Sequence, residues 1–443
     1  MGVRDLLFTP FYLLLISVGA FFLRPYFTNR QTRRYFLPAL YLKIFGAVMV
    51  GFIFEFYYGY GGDTFNYYFK PGVIIANSFF ESPMAWFRLV FGPTEYHPDT
   101  YQYASRIFTF GDAPTYFIAR IVGFFGVVCG GSYYSIAIFF AVLSFSGVWA
   151  LFNAFCTLYP ALVKQLAVAC LFIPSLWFWG SGILKDPITL SALGWIVYGV
   201  FGVVFQRRYS ISMVLIFIVS FYILYTIKIY ILMCLIPGIM VMVGFASMKR
   251  IDNWALKLLI VPFIVIIVIF GGFFSVQEIS EDNQRYSLDA IAYTAEETAK
   301  WLEYVGEQQA GSVYTFGDYD FSTGGMIRKA PMAVFTGLFR PVIWEVRNPV
   351  MLLSALESLF MIVLLIRVIW KIGLSRFFSQ IFSNPVVGFC MVFSLAFAFA
   401  IGISTYNFGS LVRYRIPLIP FFIIGLYLIS EGQNFRKRTD SRA

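Results

Sequence analysis

Apolar runs of roughly 20 residues, about what a helix needs to cross the hydrocarbon of a bilayer, recur from one end of this chain to the other. They are Leu6 to Leu23, Leu37 to Tyr58, Tyr133 to Phe155, Leu162 to Gly180, Ile188 to Phe205, Ser210 to Thr226, Ile229 to Ala246, Leu256 to Phe274, Val350 to Trp370, Val386 to Ser404 and Tyr414 to Ile429. A water-soluble core does not normally carry 59% hydrophobic against 13% charged residues over 443 positions. The expected fold class is all-α: a polytopic membrane protein with about eleven spans. Residues 1–443 are expected to form a single integral-membrane domain, with no internal repeat or separate soluble domain.

The net charge of +10 does not point to nucleic acid, because the basic residues sit in short segments between apolar runs, where they encode orientation. Arg24 to Arg34, Arg207-Arg208, Lys249-Arg250, Lys371 to Arg376 and Arg436-Lys437-Arg438 are accordingly expected on the cytoplasmic side. The first run lacks a small-residue cleavage site and is followed at once by arginines, so it reads as a span and not as a removed signal. Cys129, Cys156, Cys170, Cys234 and Cys390 lie in or beside apolar stretches without CxxC spacing, which indicates packing and neither disulfides nor zinc. With His97 the single histidine, a multi-histidine metal site is impossible, and the sequence calls for no cofactor.

The run from Tyr116 to Gly131 is barely long enough to cross, carries Arg120, and would invert every later loop if it did. It is therefore read as re-entrant or surface-lying, with the N-terminus outside and the C-terminus inside. Two long loops then face outward. The first, Gly59 to Ser132, holds an interfacial helix at Pro83 to Phe91. The second, Val276 to Pro349, begins acidic (Glu278, Glu281, Asp282, Asp289, Glu296, Glu297, Glu303) and ends basic (Arg328, Lys329, Arg340, Arg347). The acidic stretch reads as a solvated helix face.

The outer ends of the spans hold the chemically unusual residues. Asp63, in Gly61-Gly62-Asp63-Thr64, follows an apolar run directly, so its carboxylate stands where hydrocarbon meets water and escapes the several kcal/mol that burial at mid-bilayer would cost. A favourable turn sequence is the structural alternative. Lys185-Asp186 follows the aromatic run Trp177-Phe178-Trp179, with Asp186 as a helix cap and Pro187 at the first helical position as the plain explanation. Arg413-Tyr414-Arg415 puts arginines on the outer side against the positive-inside tendency, which suits a local anion such as phosphate, or snorkelling to headgroups. Lys228 in a tight outer turn, and Arg340 and Arg347 around Trp344-Glu345, add further cations, the last group being equally well read as a solvated ion pair. Lys43 and Glu55, inside the second run, are left without a role.

The order of a span ending in an outer Asp63, surface helices, two spans, and then Pro174-Ser175 with aromatic-Trp179-Gly180 ahead of Asp186-Pro187 resembles the integral-membrane glycosyltransferases of the GT-C superfamily, of the protein-mannosyltransferase and aminoarabinose-transferase type. The likeness covers about Leu37 to Phe205. It implies that Asp63 is the catalytic aspartate and Asp186 a second functional one. One extra span precedes the expected first, no soluble outer domain follows, and the second acid of the first loop is left open among Glu81, Glu95, Asp99 and Asp112. The Arg413 to Arg415 and Arg340 to Arg347 segments are also similar to bacterial surface-polysaccharide polymerases, whose outer arginines hold lipid pyrophosphates.

The expectation is sugar transfer from a polyprenyl-phosphate-linked donor at the outer face of the inner membrane. Asp63 acts as general base on an acceptor hydroxyl; Lys185, Lys228, Arg340, Arg347, Arg413, Tyr414 and Arg415 bind phosphate or sugar, and fixed cations meet the charge growing on the leaving group. Asp186 orients Lys185 or a sugar hydroxyl. A repeat-unit polymerase using polyprenyl-pyrophosphate donors is the alternative, and a lipid-linked sugar transporter or a non-catalytic envelope scaffold are the alternatives outside enzymology.

Overall fold

The computed structural model describes residues 2–248, 297, 301, 323–347, 349–405 and 407–440. Among them the chain is helical, with no strands. It forms two compact units, Met1–Lys228 and Ile229–Ala443.

The first unit opens with α1 (Val3–Phe27) and α2 (Arg33–Phe52), the latter continuing through one π turn to Tyr57. Residues 59–132, expected as a loop holding an interfacial helix at 83–91 and a re-entrant or surface-lying segment at 116–131, are helical at both places and over most of the rest. A π segment (Thr64–Phe69) runs into α3 (Lys70–Glu81), followed by α4 (Pro83–Phe91), α5 (Tyr101–Ala104) and α6 (Ala113–Val128). The local signals are plain. Ser82 is extended and its hydroxyl accepts from Ala85 N, and Pro83 takes the first turn of α4. These helices close on a core of Ile75, Leu89, Ala104, Phe110, Tyr116 and Ala119. On α4 the opposite face leaves Met84, Phe87 and Phe91 exposed, the arrangement of a helix lying in a membrane interface.

Next come α7 (Tyr133–Leu158), α8 (Val163–Ala167), α9 (Pro174–Trp177), α10 (Lys185–Gln206) and α11 (Ile211–Met248). Helices α7 and α10 pack through glycines, since a Cβ on Gly147 would lie 2.0 Å from Ser191 O and one on Gly194 2.0 Å from Gly147 O. Close backbone approach of this kind is how helices associate where lipid removes the hydrophobic drive.

In the second unit lie α12 (Thr323–Phe339), α13 (Pro349–Ile372), α14 (Leu374–Ser383), α15 (Pro385–Ser404), α16 (Phe408–Tyr414) and α17 (Ile419–Asp440). Asn384 and Asn407 cap α15 and α16 through their side-chain oxygens.

Seven of the described helices are long and apolar enough to cross a membrane, eight if the pair α16 and α17, bent by 61°, counts as one span. The chain is thus a multi-pass membrane protein, and three expected spans differ from expectation. Leu162 to Gly180 is not one helix: Pro160, Pro174 and the Gly180 to Gly182 region break it into short pieces, the longest, Pro160–Phe172, being too short to cross about 30 Å of hydrocarbon. Ser210 to Thr226 and Ile229 to Ala246 are joined in α11, interrupted where Lys228 leaves helical geometry (φ −146°, ψ 71°). The run Leu256 to Phe274 and the acidic part of the second loop, Glu297 apart, lie outside the described residues. The basic part is not simply loop, since Arg328 and Lys329 stand on α12, which buries Ala333, Thr336 and Leu338.

Candidate functional site

Asp63 is positioned by a sharp turn at the end of α2. Gly59, Tyr60 and Gly62 all have positive φ, and a Cβ on Gly62 would meet the Phe54 ring at 2.6 Å, so only glycine fits there. The chain then enters the π segment with Asp63 at its head, half-buried, in helical geometry.

Lys185 and Asp186 open α10. Leu184, extended, holds the cap position; Asp186 makes no side-chain cap and lies in the first turn, where the helix dipole favours an anion. The capping explanation for Asp186 therefore fails. Its side chain instead accepts from Lys228 Nζ at 2.5 Å, both residues being buried, 3% and 6% exposed. The non-helical backbone of Lys228 brings the ammonium there. Lys185 Nζ donates to Thr115 Oγ1 at 2.8 Å and lies 4.0 Å from Asp112 Oδ2, and the Thr115 hydroxyl donates to Asp112. Asp63, Asp112, Asp186 and Lys228 all lie within electrostatic range of the Lys185 ammonium. Lys185, Thr115 and Asp112 thus form one contact group and Asp186 with Lys228 a second, with Asp63 acting on the Lys185 ammonium electrostatically.

The sequence reading groups Asp63, Lys185, Asp186 and Lys228 with Arg340, Arg347, Arg413 and Arg415 on one outer face, and leaves Asp112 as one of four open acids. The other three do not share its setting in the same way: Glu81 accepts from the Tyr103 hydroxyl, Asp99 pairs with Arg88, and Glu95 has no such link to Lys185. Thr115 went unnoticed. Its signal was the Asp112-Ala113-Pro114-Thr115 start of α6, a helix N-terminus with Pro at its second position.

The stretch that leads into Lys185 is held by a residue to which the sequence reading gives no role. Lys43, 2% exposed, donates to Ser144 Oγ (2.8 Å), Leu176 O (2.8 Å) and Gly180 O (2.7 Å), and Ser144 Oγ donates to Gly180 O at 2.7 Å. An ammonium has three donors, and all are used. In a bilayer, irregular backbone survives only where its carbonyls find partners inside the protein. Lys43 and Ser144 supply them for the unwound stretch between α9 and α10 that delivers Lys185-Asp186.

The cations of the second unit are organised differently. Arg415, expected as an outer phosphate ligand, is fully buried at the break between α16 and α17. Its guanidinium donates to Arg340 O (2.9 Å), Ser358 Oγ (2.7 Å), Ser354 O (3.0 Å) and Glu357 Oε2 (3.4 Å). Exposure did not decide its position; the Glu357 carboxylate on α13, itself 4% exposed, holds it inside. Arg340 pairs with Glu345 and lies over the Phe408 ring at 5.0 Å. The side chains of that pair are only 16% and 18% exposed, so the solvated ion pair entertained for them becomes a largely buried one. Arg413 and Tyr414 are half-buried and Arg347 is exposed. In the first unit Asp186 pairs with Lys228 and Lys185 contacts Thr115 near Asp112, and in the second Arg415 donates to the Arg340 carbonyl.

All five cysteines are buried thiols, in keeping with packing roles; burial raises the Cys129 thiol to about 12. No known protein family matches the chain, and no characterised protein or solved structure matches it either.

Proposed function

We propose that the protein is a glycosyltransferase of GT-C-like type that moves a sugar from a polyprenyl-phosphate donor to an acceptor hydroxyl at the outer face of the inner membrane. The reading includes about eleven spans, with the Asp63 side facing outward. The observation that carries it is the contact of Lys185 with Thr115 and its 4.0 Å approach to Asp112, with Asp63 near enough to act electrostatically on the Lys185 ammonium.

In this reaction the acceptor oxygen attacks the anomeric carbon, its proton passes to the Asp63 carboxylate, and the bond from the anomeric carbon to the phosphate oxygen breaks with its electron pair leaving on the phosphate. Asp63 must be ionised and within hydrogen-bond reach of the hydroxyl. Lys185, held by neutral Thr115 and standing 4.0 Å from Asp112, keeps a donor for the departing phosphate, whose growing charge it stabilises. Asp186 and Lys228 neutralise each other and fix the start of α10 beneath Lys185. Arg415, in the second unit, takes a structural part.

The direct test is purified protein with a polyprenyl-phosphate sugar and a glycan acceptor. Release of polyprenyl phosphate that depends on Lys185 supports the reading, and wild-type release no faster than in empty vesicles, across a range of sugars, counts against it.

A further inference from the structure

Helix α14 joins α13 and α15, two helices long and apolar enough to cross a membrane, yet its own 10 residues reach only about 15 Å, half of the hydrocarbon thickness. It therefore lies where the two spans end, at a boundary of the bilayer. Gly373, at φ 79°, breaks the line of α13 ahead of it, a conformation that glycine adopts without steric cost.

The two sides of α14 differ. Leu374, Phe378 and Phe382, four residues apart on one stripe, are 57%, 51% and 69% exposed, while Phe377 beside them is buried against the unit. Ser375, Arg376, Ser379 and Gln380 occupy the other side, with Arg376 exposed, and no acid occurs from Lys371 to Ser383. An apolar stripe backed by a basic, hydroxyl-rich face belongs to a helix lying in the headgroup region. Trp370, in the last turn of α13, is 90% exposed, as an aromatic ring at such a boundary is.

More cations gather at the same end. Arg367 is exposed one turn before Lys371. Lys371 donates to Ser430 Oγ (3.2 Å) and Glu431 Oε1 (2.9 Å), so its charge is met by that carboxylate, and the contact sets the end of α13 beside α17. From Glu431, α17 stays helical to Asp440 and carries Arg436, Lys437 and Arg438 about 8–10 Å further along, with no acid in between. Basic residues clustered beside a span or on an amphipathic helix attract anionic headgroups. A protein groove would account for the phenylalanines and not the cations, and a nucleic acid for the cations and not the phenylalanines.

We infer that α14, with the last turns of α17, binds anionic phospholipid: Leu374, Phe378 and Phe382 enter the acyl region, and Arg376 and the Arg436-Lys437-Arg438 triplet attract the phosphates. The inference does not rest on sugar transfer, and its test reads binding alone.

The purified full chain in mixed micelles is given equal amounts of phosphatidylglycerol and phosphatidylcholine of the same acyl chains, and retained lipid is counted by native mass spectrometry. Wild type is expected to keep the glycerol lipid at least about tenfold better, as two or more cations near a surface provide. Arg376→Gln, at an exposed position, should lower that retention about fivefold, the factor that one cation supplies, and Arg436→Gln with Lys437→Gln and Arg438→Gln should lower it further. Phe378→Ser with Phe382→Ser should lower it several-fold with every charge in place. Equal retention of the two lipids by wild type would overturn the inference, as would retention unchanged in Arg376→Gln. An equal loss from Arg207→Gln with Arg208→Gln, at the turn between α10 and α11, would mean that any basic turn serves, and the site would fall. If inorganic polyphosphate displaces the lipid and the paired serine variant binds that polyphosphate as well as wild type, the cations belong to a soluble polyanion and the lipid assignment falls.

Discussion

Replacing Lys43 by methionine keeps the length of the side chain and removes its donors. Leu176 O then loses its side-chain donor, while Gly180 O keeps the Ser144 hydroxyl at 2.7 Å. A buried carbonyl deprived of its partner costs about 1–3 kcal/mol, so Lys43→Met should destabilise by about that much, less whatever is recovered by no longer burying an ammonium. Ser144→Ala leaves Gly180 O with Lys43 and should cost about 1 kcal/mol. The double variant differs in kind. It strips both donors from Gly180 O, so its cost should exceed the sum of the singles by about 1–2 kcal/mol, in the range seen for residues sharing one network. Unfolding in mixed micelles, followed by tryptophan fluorescence, provides the readout, since Trp177 and Trp179 flank the affected carbonyls. Additivity within about 0.3 kcal/mol, or a neutral Lys43→Met, would refute the claim that these two side chains jointly hold the unwound segment.

Lys228→Met should destabilise the first unit by about 3–5 kcal/mol by stranding the Asp186 carboxylate, and Lys228→Met with Asp186→Leu should recover most of the loss in the same unfolding assay. Arg415→Met strands Glu357 in the same way; thermal melts should fall for the single variant and largely return with Glu357→Leu, while Arg347→Ala at an exposed position should shift stability by under about 0.5 kcal/mol. The Tyr103 hydroxyl donates to Glu81 at 2.6 Å, and that bond holds the phenol above its ordinary value. A group raised on folding stabilises fully below its unfolded value of about 10 and loses that contribution as pH climbs through the folded value. Wild type should therefore lose stability above about pH 10 faster than Tyr103→Phe, as read by protease protection of residues 70–128; parallel curves would refute the linkage.

The membrane class and the all-helical fold were legible because hydrocarbon imposes a length and a composition that survive in any context. Lys185 stands at the start of a span, α10, although the apolar run ahead of it, Leu162 to Gly180, is not itself a span. The role of Lys43 was not legible, because its acceptors are backbone carbonyls 133 and 137 positions away, and a carbonyl leaves no mark in sequence. Arg415 misled for a related reason: a cation at a span end looks solvent-facing until the acid that buries it, Glu357, is seen across from it. Within residues 59–132 the helices at 83–91 and 116–128 were legible, but Thr64–Phe69, Lys70–Glu81 and Tyr101–Ala104 were not, because they are short and their core forms by packing on neighbouring helices.

The central claim is that Asp63 takes the acceptor proton beside Lys185. It is tested most directly by the rate of sugar transfer in proteoliposomes for wild type, Asp63→Asn and Asp63→Glu, each checked for unchanged folding and lipid retention. A general base in this position predicts a loss of about 10²–10⁴-fold for Asp63→Asn, with partial activity in Asp63→Glu. Transfer by a well-folded Asp63→Asn protein at the wild-type rate would contradict it.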